Sequence, residues 1–95
     1  MLFSWDPKKA EANLKKHGVS FEMAQTVFDD PFHLSVLDAR HRGEERWVTI
    51  GESASQRSLV VVHVYHVFED HQETIRIISA RKATRKEIKQ YEETI

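Results

Sequence analysis

The chain of 95 residues contains no cysteine, only two prolines and only three glycines. Without cysteine there are no disulfides and no thiolate metal sites, and a reducing compartment suits it. Three scattered glycines do not make a glycine-rich loop for cradling a nucleotide phosphate. The longest apolar run, Leu59 to Val62, is far too short to cross a bilayer. The opening Met-Leu-Phe-Ser-Trp-Asp lacks the basic stretch and apolar run of a secretory signal. These absences point to a cytoplasmic protein with no membrane partner. The formal charge of −1 gives no overall field to attract nucleic acid, so any such binding must be local. No Ser/His/Asp nucleophile motif is visible. His33, His41 and His71 are scattered in loops, and His63 and His66 point to opposite faces of a strand, so no metal site and no cofactor is expected.

What is present is enough for one core. The apolar fraction of 40 % supports folding, and the length leaves no room for a second unit, so residues 1–95 form a single domain. Leu2 to Trp5 suits a short strand. Asp6-Pro7 is a helix start and Gly18 a helix stop, which predicts a helix over 7–17 with Ala10 and Leu14 inward. Ser20 caps a second helix, 21–28, striped by Phe21, Ala24, Val27 and Phe28 and ended by Asp29-Asp30-Pro31. Phe32–Asp38, Arg46–Gly51, Leu59–Phe68 and Thr74–Ala80 read as strands, with a polar loop over Ala39–Glu45. Thr84-Arg85-Lys86-Glu87 fits a capping box opening a last helix, 84–93. The predicted architecture is α+β: two N-terminal helices packed on a four-stranded antiparallel meander sheet, then a C-terminal helix.

The last strand and helix carry the chain's densest positive charge. Arg81, Lys82, Arg85, Lys86 and Lys89 stand against one acid, Glu87. Such a run is ordinarily the solvated face of a helix. Arg76 argues for more, since it stands in a strand among Thr74, Ile75, Ile77 and Ile78, where an unpaired charge is costly. Alternation puts Ile75, Ile77 and Ser79 on one face and Arg76 and Ile78 on the other. Guanidinium groups at the end of a rigid strand suit bidentate grip of phosphate. Arg46 adds a further cation. Lys15, Lys16 and His17 crowd a helix C-terminus, where the dipole alone favours cations; a second basic rim is the functional alternative. His63, among valines, is either a satisfied core histidine or a proton-transfer group on an open face. Trp47 and Tyr91 are candidate stacking platforms for bases. Metal-free RNA cleavage needs a base for the 2′-OH, a proton for the leaving 5′-oxygen, and fixed cations on the crowded phosphate.

Several segments in fixed order resemble one family. They are Phe3-Ser-Trp-Asp-Pro-Lys-Lys, Asn13-Leu-Lys-Lys-His-Gly-Val-Ser-Phe-Glu, Val27-Phe-Asp-Asp-Pro, Glu44-Glu-Arg-Trp-Val-Thr-Ile-Gly, Leu59-Val-Val-Val-His-Val and Arg76-Ile-Ile-Ser-Ala-Arg-Lys-Ala-Thr. Together they resemble the BrnT toxins of bacterial type II toxin–antitoxin systems over nearly the whole chain. The stretch Val64–Gln72 departs from that pattern, being longer and richer in His. The resemblance implies a RelE-like microbial ribonuclease fold, metal-independent endoribonuclease activity and growth arrest. It implies a BrnA-like antitoxin as partner, in what is expected to be a heterotetramer, with DNA contacted only through the antitoxin. Carried onto this sequence, it points to Arg81, Arg76, His63, Ser79 and Arg46 as catalytic. Lys82, carried over with them, and Lys16, His17, Arg85, Trp47 and Tyr91, singled out by their own charge or rings, are the candidates for RNA binding. The alternative is a non-catalytic basic module that docks an acidic protein partner or acts only as a co-repressor.

Overall fold

A computed structural model of the chain describes residues 1–38 and 43–95. The expected loop Ala39–Glu45, with His41, therefore falls partly outside the described residues. The order of elements is β1 (Leu2–Ser4), α1 (Pro7–His17), α2 (Phe21–Gln25), β2 (Leu34–Leu37), β3 (Trp47–Glu52), β4 (Ser58–Val67), β5 (Glu73–Lys82) and α3 (Arg85–Glu93). The fold is α+β with three helices, and the strands lie in the order β1-β5-β4-β3-β2.

Local chemistry sets the helix boundaries. Asp6 caps α1 by accepting from the Lys8 N–H at 2.8 Å, and Pro7 supplies a pre-set φ. Gly18 ends it in the left-handed region at φ 69°, donating its N–H to Leu14 O at 2.9 Å. Ser20 caps α2 through the Met23 N–H at 3.0 Å. The second helix is shorter than its apolar stripe suggested: after Gln25 the chain tightens into a 3-10 turn, Thr26–Asp29. Thr26 Oγ1 donates back to Met23 O at 2.6 Å there, the kind of side-chain bond that competes with a regular helix. Thr84 and Glu87 form the complete reciprocal capping box of α3.

Two expectations of the fold need correction. The sheet has five strands, not four, and is mixed. β1 joins it parallel to β5, with Leu2, Phe3 and Ser4 opposite Thr74, Ile75 and Arg76. Phe3 is the reason, since it packs against the core alongside Trp5 and Phe28. The second correction concerns α1. Leu14 is 51 % exposed, and buried Asn13 takes the inward place beside Ala10. The Asn13 amide donates to Val19 O at 2.9 Å and Ala80 O at 2.8 Å, and its oxygen accepts from Ala80 N at 3.1 Å. β1 reaches only as far as Arg76 along β5. Beyond it the amide serves as a surrogate strand, satisfying both backbone groups of Ala80.

The core lies between one sheet face and the N-terminal helices. Phe21, Ala24 and Val27 meet Leu59, Val61, Ile75, Ile77 and Ala80, all nearly or fully buried. Gly51 belongs to this layer because an added Cβ would stand 2.8 Å from Val27 Cγ1. α3 packs on the opposite face over β3 and β4. It is anchored by buried Tyr91, whose hydroxyl donates to Asp30 Oδ2.

Candidate RNA-binding face

Strands β4 and β5 pair from Leu59–Lys82 to Val67–Glu73, with a shift of register between Val62 and His63. Val62 is opposite Ser79 and His63 is opposite Ile77, so Ile78 is an extra residue without a partner, a β-bulge in β5. The bulge changes which residues share a face. Simple alternation separates Ser79 from Arg76; here Arg76, Ser79 and Arg81 stand opposite Val64, Val62 and Val60, three residues on one side of β4. The expectation that Ser79 faces with Ile75 and Ile77 is thus overturned. Arg81 and Lys82 also differ from expectation, being the last two residues of the strand rather than a turn. They point to opposite faces.

The row Arg76–Ser79–Arg81 therefore lies on the face away from the core, at intervals of about 7 Å along the neighbouring strand. Val48 and Ile50 of β3 continue the surface beside Val62 and Val60. Each arginine is held by a carboxylate. Arg76 Nη2 donates to both oxygens of Glu44, at 2.7 and 2.9 Å, with both side chains almost half exposed. Arg81 makes a parallel fork to Glu87, Nη1 to Oε1 and Nη2 to Oε2, both at 2.8 Å. That hydrogen bond raises the Arg81 pKa further and, with the Thr84 N–H as a lesser cause, holds Glu87 down at about 2. Both groups are fully charged across the physiological range.

His63 is not brought to this row. It stands on the helix-covered face, 4 % exposed, with its ring against Phe28. Its Nε2 shares a hydrogen bond of 2.8 Å with Thr49 Oγ1, which shares another of 2.6 Å with Ser35 Oγ. Burial, and then the charge of His33, holds its pKa down to about 4. It is a neutral core histidine at pH 7 and does not reach a phosphate on the other side of the sheet. Trp47, opposite His63, lies on the same side as it and is half-buried. Tyr91 is only 5 % exposed, and burial and its bond to Asp30 push its pKa up to about 12. A ring so covered does not offer a face to a base, so its expected stacking role is not supported.

The remaining cations fall into separate places. Arg46 immediately precedes β3 and is half-buried; its Nε has no hydrogen-bond partner among the described residues. Lys82 shares a groove with Arg57, Ser20, Gly18 and Leu14, on the other side of the sheet from Arg81. Lys16 is exposed and His17 half-buried at the α1 C-terminus. Arg85 is exposed on α3 beside Ile88 and Lys89. Among the described residues, no three His, Asp or Glu gather in a way that would hold a metal ion. Nor is any helix among them long and apolar enough to cross a membrane. Sequence reasoning missed Glu44 as the partner of Arg76, while Glu87 stood out as the one acid beside Arg81. Glu44 is 32 positions from Arg76 and leaves no local signal. Glu87 was legible as a capping residue, but its second bond depends on where β5 ends.

Residues 5–87 match the model of a family described as the ribonuclease toxin, BrnT, of a type II toxin–antitoxin system. The chain belongs to the BrnT family. A toxin of this type implies an antitoxin partner. Among solved structures it is similar to the crystal structure of the Brucella abortus ribonuclease toxin, BrnT. The TM-score is 0.61 at 22 % identity, over 90 % of this chain and all of that one, a likeness that concerns the fold. No curated protein sequence matches the chain.

Proposed function

We propose that this BrnT-family chain is a metal-independent endoribonuclease whose cleavage of RNA arrests growth. In this reading it has a RelE-like ribonuclease fold, acts in the cytoplasm and is neutralised by a BrnA-like antitoxin. The pair assembles as a heterotetramer and meets DNA only through the antitoxin. The observation that carries the reading is the bulge at Ile78, which aligns Arg76, Ser79 and Arg81 on one open sheet face. Fixed guanidinium groups there meet the negative charge that grows on the phosphate as the 2′-OH attacks. Ser79 adds a hydroxyl able to donate to a phosphate oxygen. Arg46 stands at the same side of β3 by alternation from Trp47 and extends the cationic row. Arg85, Lys82, Lys16 and His17 are left as peripheral contacts to the RNA backbone, which steer and hold rather than react.

The test is expression of the chain alone in bacteria, followed by cleavage of RNA by the purified protein. Growth arrest with RNA loss is the expected result. Chelator should leave the cleavage rate unchanged; activity abolished by EDTA and restored by magnesium would refute the metal-free reading. One observation favours the non-catalytic alternative: both arginines of the row are already paired with carboxylates. A folded product that neither arrests growth nor cuts RNA would establish that alternative.

A further inference from the structure

We propose that Glu87 is a positioning residue for RNA cleavage, orienting Arg81 end-on so that the other edge of its guanidinium is left for the phosphate. The inference rests on the ribonuclease reading of the Arg76–Ser79–Arg81 face. It begins from a count of donors. A guanidinium has five N–H groups. Glu87 takes one from Nη1 and one from Nη2, and the Lys82 carbonyl takes a second from Nη1 at 3.3 Å. The two left over are the Nε–H and the outer Nη2–H. They lie on a single edge and point the same way, a second fork suited to two phosphate oxygens.

The carboxylate is itself immobilised. Its Oε1 accepts the Thr84 N–H at 2.8 Å, while its own N–H donates to Thr84 Oγ1 at 3.2 Å. The helix that carries it is tied down again one turn later by Tyr91 to Asp30. Asp30 is a firm anchor: burial alone would raise its pKa, but the bonds from the Glu52 N–H, Tyr91 hydroxyl and Phe32 N–H outweigh that and lower it. Arg81 is thereby fixed at both ends, its backbone in β5 and its head group through α3. Arg76 is not held in this way. Its partner Glu44 lies in a bend before β3, and no further hydrogen bond among the described residues fixes that carboxylate. The capping box is thus more than a helix start. It couples the first turn of α3 to the one arginine whose orientation is set in advance, which spares the reorganisation that a free side chain would need at the moment of reaction.

A positioning carboxylate has an unusual kinetic signature. It opposes the binding of a polyanion while favouring its cleavage. Glu87→Ala should therefore lower kcat on the order of 10–100-fold, as small misplacements of a reacting group do. KM should stay level or fall, and a non-cleavable 2′-deoxy oligonucleotide should bind as tightly as before or more tightly. In an Arg81→Ala background the same substitution should cost nothing further in rate. Glu87→Gln, which keeps one accepting oxygen, should recover part of the loss. Thermal melting of every variant keeps the assay below unfolding. A faster Glu87→Ala enzyme would overturn the proposal, because the carboxylate would then be blocking the phosphate seat. Equal losses with and without Arg81 would overturn it in favour of a structural role. If Arg81→Ala cleaves like the wild type, the positioning role falls while the ribonuclease reading stands. If the wild type cleaves no RNA, both fall together.

Discussion

The two faces of this sheet are built from the same strands and treat polar groups in opposite ways. On the face covered by α1 and α2 the buried polar side chains Asn13, Thr49 and His63 are uncharged, and their bonds go to fixed neighbours. Asn13 bonds backbone groups, Thr49 bonds His63 and Ser35, and His63 is held neutral. On the opposite face, beside α3, the arginines of β5 are charged and paired with carboxylates from outside the sheet, Glu44 and Glu87. The difference is one of exchangeability. A buried hydrogen bond without a water to replace it costs its full desolvation when broken. A half-exposed ion pair costs little to open, because water and other anions compete for it. The first face can only be stable; the second can trade partners, as the proposed RNA surface must.

The comparison is most severely tested at Asn13. Replacing it with Leu strands the N–H and C=O of Ala80 and the C=O of Val19, and should cost about 3 kcal/mol or more in urea unfolding. A cost near zero would show that the amide does not seal that edge of β5. Arg81→Ala probes the other side. It should cost on the order of 2–4 kcal/mol in transition-state stabilisation, as loss of one preorganised donor does, with melting nearly unchanged. Wild-type cleavage by a well-folded variant would remove Arg81 from the reacting centre.

Acid sharpens the same contrast. Burial lowers the His63 pKa to about 4 from 6.5, so the folded state binds fewer protons than the unfolded chain between those values. Its contribution is complete above pH 6.5 and is lost as pH falls toward 4. At pH 5 the loss amounts to roughly 2 kcal/mol, read as a lower urea midpoint that His63→Gln should largely abolish. A midpoint that falls equally in both proteins would assign the acid sensitivity elsewhere. The smallest effect is expected at Lys82, an exposed cation at the strand end on the other side from Arg81. Lys82→Ala should weaken RNA binding only about 2–5-fold, an amount that shrinks in high salt. A larger loss would extend the RNA surface around the end of the sheet.

The sequence made the local events legible. The Asp6-Pro7 start, the Gly18 stop and the Thr84–Glu87 box each depend on residues within one turn, and each stands where it was expected. What was hidden needed knowledge of distant neighbours. β1 was expected as a short strand, but its parallel place beside β5 was not. Asn13 looks like one more polar residue of an exposed helix until Ala80, 67 positions away, presents its backbone. The site was half legible: Arg76, Ser79 and Arg81 were singled out one by one, but period-two alternation scattered them. His63 and Tyr91 were misleading for the opposite reason. Their chemistry suits RNA, while their burial is decided by Phe28, Thr49 and Asp30, from elements far along the chain.

The extra residue at Ile78 has a consequence for how this strand can change. It acts as a phase shifter, splitting β5 into two stretches that answer to different demands. Before it, odd-numbered positions serve the interior; after it, even-numbered ones do. Arg76 and Arg81, five positions apart and so of opposite parity, come to share a side only through that shift. Were Ile78 drawn into regular pairing, with no residue removed, Ser79, Ala80 and Arg81 would exchange faces, sending a guanidinium into the hydrocarbon layer and a methyl out of it, whereas deleting Ile78 would leave each of them opposite its present partner. The shared side of the two arginines thus depends on where this strand breaks its alternation and not on residue type alone.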